Sequence, residues 1–80
     1  MITSAQIRAA RALLDWSRGA LSIKSGIGIS ALMRLEAANG IPSGNIKTFD
    51  AVQKAFDKAG IEFIGTPEDG AGVRFKKSLT

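Results

Sequence analysis

Apolar residues recur at three- and four-residue intervals along most of the chain and then alternate with polar ones for the most part, so helices are expected first and strands last. Ile7, Ala10 and Leu14 recur at helical spacing while Arg8, Arg11 and Asp15 lie on other faces, predicting a first helix. Thr3 or Ser4 can cap it, and it should end near Asp15. Trp16, at the junction beside Leu13, is expected in the core rather than as a binding aromatic. Ser17 can cap a second helix over Arg18 to Ser25, and a third begins at Gly28. Between them Gly26 is the pivot, because a sharp turn between two packed helices needs a residue that accepts positive φ. Leu21, Ile27, Leu32 and Leu35 can then meet in one small core, leaving Ile29, Ser30, Met33 and Arg34 outward. This is helix-turn-helix spacing. Gly19 is a departure inside the second helix, costing about 1 kcal/mol against alanine, so that helix should be frayed or unusually closely packed there.

Residues 39–45 are dense in turn formers and read as a loop, with Ser43 or Asn45 capping a fourth helix near Lys47 to Ala59. Phe49, Val52, Phe56 and Ala59 form its apolar stripe, and Gly60 ends it. Ile61 to Ile64 and Val73 to Lys76 alternate around a glycine-rich loop at 65–72, which predicts a β-hairpin with Glu62 paired to Arg74 or Lys76. The expected fold class is mainly α, with four to five helices over residues 1–60 and a hairpin tail over 61–80. A lone hairpin is marginal in water and leaves two unpaired edges. Contact with a second copy through Ile61, Phe63, Val73 and Phe75 would answer both problems. The same side chains can instead fold back on the fourth helix, and the two arrangements are compatible.

Composition narrows the chemistry. Eighty residues suit one small domain with a modest core. The chain has no cysteine and no histidine, which removes thiol chemistry, disulfides, the usual zinc sites and the commonest general base. No enzyme activity and no cofactor are expected. Gly26-Ile27-Gly28 resembles a fragment of a phosphate loop but lacks the preceding strand and the following Gly-Lys-Ser. Arg8 and Arg11 interrupt any signal-like apolar run, and no stretch approaches the roughly 20 apolar residues of a membrane span, so a cytoplasmic protein without membrane contact is expected. The net charge of +4 suggests an anionic partner. Its distribution says more: from Ser17 to Lys47 the chain carries Arg18, Lys24, Arg34 and Lys47 against Glu36 alone.

The helix pair, Trp16-Ser17, the glycine turn, Arg34-Leu35-Glu36 and the fourth helix resemble the XRE family, the lambda repressor and Cro type of DNA-binding domain. The tail, Gly60 to Ile64 and Gly72 to Lys76 around a glycine-rich loop, looks like the ending of small stand-alone regulators of bacteria and their mobile elements. The resemblance implies a nucleoid-associated homodimer on double-stranded DNA, with the third helix in the major groove. Ile29, Ser30, Met33 and Arg34 would then read bases, with Ile29 and Met33 touching thymine methyls and Arg34 reaching guanine or a phosphate. Ile29 stands where the family often has a long polar side chain, which shifts weight to apolar contact and DNA shape. Ser17, Arg18, Asn39, Ser43, Asn45 and Lys47 would hold phosphates. Arg11 and Glu36 match a pair that fixes the third helix to the scaffold. A second possibility is a protein-interaction module on the same fold, an antitoxin or anti-activator, motivated by Ile23, Ile29 and Met33.

Overall fold

A computed structural model describes residues 2–38 and 46–76. Its elements run α1 (Ser4–Leu14), α2 (Arg18–Ser25), α3 (Ile29–Ala37), α4 (Ile46–Lys58), β1 (Ile61–Thr66) and β2 (Asp69–Phe75). Four helices and one antiparallel hairpin among the described residues make the fold mainly α, at the lower end of the helix number expected. No described helix is long and apolar enough to cross a membrane. The expected loop at 39–45, with its caps at Ser43 and Asn45, lies outside the described residues.

Local chemistry sets the helix boundaries. Thr3 caps α1 through a reciprocal box: its hydroxyl accepts from the Gln6 amide at 3.1 Å, and Gln6 Oε1 accepts from the Thr3 amide at 2.8 Å. Asp15 closes the helix in the left-handed region at φ 57°, and the Trp16 amide then donates to the Arg11 carbonyl at 2.9 Å. Ser17 Oγ accepts from the Ala20 amide at 3.0 Å, starting α2 where the sequence places it. Gly19 leaves the helix intact. A Cβ there would meet only Ser17 Oγ, at an ordinary 3.6 Å, so close packing does not require glycine.

The core gathers Ile7 and Ala10 of α1, Leu21 of α2, Leu32 and Leu35 of α3, Val52, Ala55 and Phe56 of α4, Ile61 of β1, and Ile2. Phe56 is its centre. Trp16 stacks on that ring at 5.8 Å between centroids, and Phe63 meets it edge-on at 5.9 Å. Trp16 thus packs on α4, while Leu13, its expected neighbour, is 40% exposed. Ile27 is half-buried against this cluster rather than inside it.

The hairpin differs from expectation in its extent. Its strands extend into the glycine-rich run, leaving only Pro67 and Glu68 between Thr66 and Asp69. Thr66 faces both Asp69 and Gly70, a bulge that Gly65 (φ 77°) and Gly70 (φ 70°) accommodate. Gly65 serves close approach rather than looseness, since a Cβ there would lie 2.2 Å from the Gly70 carbonyl oxygen, whereas Gly70 is required by its positive φ alone. Composition alone cannot separate the two uses.

Ile61, Phe63, Val73 and Phe75 carry two compatible expectations, contact with a second copy and fold-back on the fourth helix. Ile61 is 1% exposed, and Phe63 and Val73 pack against the core of their own chain, because β1 lies along α4 and β2 along α1. β1, with Ile61 and Phe63, thus folds back along α4 as that arrangement requires, whereas Val73 on β2 reaches the core beside α1. Phe75 remains 53% exposed. Gln6 fastens the hairpin from α1: its Nε2 donates to the Ile64 carbonyl at 3.2 Å and to the Gly72 carbonyl at 2.9 Å, two residues that face each other across the strands. On the outer face Glu62 pairs with Arg74 at 3.0 Å, and Lys76 turns to Asp57 instead. The hydrogen bonds and charge of Arg74 lower the Glu62 carboxyl below its ordinary value. That contribution is present above the ordinary carboxylate range and is lost as pH falls through the lowered value; contact of both side chains with water keeps it slight.

Candidate nucleic-acid interface

The turn between α2 and α3 is held by more than Gly26. Gly26 takes φ 74°, and its amide donates to the Ser22 carbonyl at 2.9 Å. Ser22 Oγ then donates to the Ile27 carbonyl at 2.6 Å, and Ser25 Oγ donates to the Leu21 carbonyl at 2.7 Å while accepting from the Ile27 amide at 3.2 Å. Backbone groups that a tight turn would orphan are thereby satisfied, which fixes the angle at which α3 leaves. Two serines within a turn of a helix-ending glycine were the signal for this; sequence reasoning passed over them.

The far side of α3 is anchored along its length. Leu32 and Leu35 enter the core. At its C-terminal end, Ser4 Oγ donates to the Leu35 carbonyl and Arg8 Nη1 to the Glu36 carbonyl, so α1 caps α3. No local pattern points to Ser4 or Arg8, because their partners lie some thirty residues away. The Glu36 side chain is 1% exposed and receives a fork from Arg11: Nε to Oε2 at 2.9 Å and Nη2 to Oε1 at 2.7 Å. Arg11 Nη1 also donates to the Trp16 carbonyl at 3.1 Å. The expected Arg11–Glu36 pair is therefore present and ties α1 to α3 and to the connection between α1 and α2.

With that side buried, Ile29, Ser30, Met33 and Arg34 share the solvent face of α3, Ile29 at 48% and Met33 at 51% exposure. One helical surface thus presents a hydroxyl, a guanidinium and two apolar side chains. The phosphate-contact set is less uniform. Ser17 is exposed, with its hydroxyl engaged as the cap of α2. Arg18 is turned inward, its Nη2 3.3 Å from Glu36 Oε1. Lys47 is exposed in the first turn of α4. Asn39, Ser43 and Asn45 lie outside the described residues. Lys24 reaches back over the Trp16 ring at 6.0 Å from its centroid. Ile23 on α2 is 84% exposed.

Comparison with known protein families finds no matching family model, and comparison with curated proteins finds no match.

Proposed function

We propose that this chain is a sequence-specific DNA-binding transcriptional regulator of the XRE type, acting as a Cro-like homodimeric repressor on an inverted repeat. The observation that carries the reading is the solvent face of α3: Ser30 and Arg34 stand outward on a helix whose opposite side is locked by Leu32, Leu35 and the Arg11–Glu36 fork. A helix fixed in this way can present base-reading groups in the major groove without reordering on contact. The surplus of cations from Ser17 to Lys47 supports an anionic partner.

A titration of duplexes with and without the preferred sequence, at two salt concentrations, tests this. Arg34→Ala should weaken binding to the preferred sequence by about 1 to 3 kcal/mol and erase much of the preference. Lys47→Ala should weaken every duplex alike and flatten the salt dependence. Binding without sequence preference at either salt would overturn the regulator reading. The 84% exposure of Ile23 favours a second reading, a protein-interaction module on the same scaffold. A native chain that retains no duplex even at low salt would select it.

A further inference from the structure

Arg8, Arg11 and Arg18 all converge on Glu36, Arg8 at its carbonyl and the other two at its carboxylate. No other ion pair involves these arginines among the described residues, so two cations share one carboxylate and a third sits on the same residue's carbonyl. Their engagement is unequal. Arg11 covers both carboxylate oxygens and uses its third nitrogen on the Trp16 carbonyl. Arg18 reaches one oxygen only, at 3.3 Å, and that oxygen already accepts from Arg11 at 2.7 Å. Its Nε is buried and has no hydrogen-bond partner, while the side chain as a whole is 38% exposed.

We propose that Arg18 is a transferable cation: Glu36 holds it in the free protein, and a phosphodiester oxygen of the DNA backbone takes it over on binding while Arg11 stays in place. The proposal rests on the DNA-binding reading and adds how the phosphate contact is made and gated. Transfer leaves no buried charge unpaired, because the Arg11 fork alone satisfies both Glu36 oxygens. Arg18 gains by moving, since a buried N–H without an acceptor is costly and a phosphate offers the guanidinium fork two oxygens. Glu36 thus does two things, fixing α3 through Arg11 and parking Arg18 where it cannot attract indiscriminate anions.

The test combines arginine side-chain nitrogen NMR with salt titrations, using a mixed-sequence duplex of two helical turns, on the full chain and its Arg18→Ala and Arg18→Lys variants. On adding duplex, the Arg18 Nε–H signal should move and that of Arg11 should stay. Arg18→Ala should weaken binding to all duplexes alike and reduce the salt slope by roughly 0.9, the value for one phosphate, with Arg18→Lys restoring the slope. Its unfolding midpoint should stay near that of the native chain. Duplex binding with an unmoved Arg18 signal and an unchanged slope would overturn the transfer while leaving DNA binding intact. So would a stability loss as large as that of Arg11→Ala, which would make Arg18 a structural clamp. No duplex binding by the native chain would overturn the DNA-binding reading and this proposal together.

Discussion

Arg11→Ala is expected to lose about 3 to 5 kcal/mol of stability, a large share of what a domain of this size possesses. The cause is what remains behind. Glu36, 1% exposed, would keep a buried charge with only the single 3.3 Å contact from Arg18, and the Trp16 carbonyl would lose its donor. Urea unfolding followed by circular dichroism should show a midpoint far below that of the native chain. Arg11→Met combined with Glu36→Leu should recover much of the loss, because it removes both charges instead of stranding one. Equal destabilisation in the single and double variants would instead assign the effect to lost packing of the arginine stem.

The second large effect is expected at Gln6. Gln6→Leu keeps the approximate volume but removes three hydrogen bonds at once: the acceptor for the Thr3 amide and the two donations to Ile64 and Gly72. Gln6 is 4% exposed, so water cannot readily take its place. A loss of about 2 to 4 kcal/mol follows from leaving these groups unsatisfied. It should be felt unevenly. Hydrogen exchange should rise most in β1, β2 and the first turn of α1, and less at Leu32 and Leu35 of α3. A uniform rise across all elements would mean that Gln6 does not fasten the hairpin specifically.

These two positions mark what was legible in the sequence. The Arg11–Glu36 pair was visible through a family resemblance. The α2 boundaries were visible through capping and a glycine stop, which are local chemistry. Gln6 was not, although its box with Thr3 follows a common pattern; its bonds to Ile64 and Gly72 depend on a hairpin more than fifty residues away. The hairpin itself was recognised but trimmed, because glycines that permit close strand approach look the same in sequence as glycines that loosen a loop. Ile61, Phe63 and Val73 were apolar and alternating, as strand positions should be. Whether such a face meets its own helix or another copy is decided by tertiary packing, which alternation does not encode.

The candidate interface was legible to a similar degree. Helical periodicity was enough to put Ile29, Ser30, Met33 and Arg34 on one outward face. It could not show that Arg18 turns inward to share Glu36, because that depends on how closely α1, α2 and α3 converge at one carboxylate. The serines of the turn give a partial signal: their place just before Gly26 marks Ser22 and Ser25, but their bonds show only once the Ile27 backbone is placed beside them.

Base reading by α3 is tested most directly by selecting bound duplexes from a random pool, in parallel for the native chain and for Arg34→Ala. The native chain should enrich an inverted repeat whose half-site centres lie about one helical turn, roughly 34 Å, apart, and Arg34→Ala should lose that enrichment at the same salt concentration. A native pool that emerges as random as it entered would contradict it.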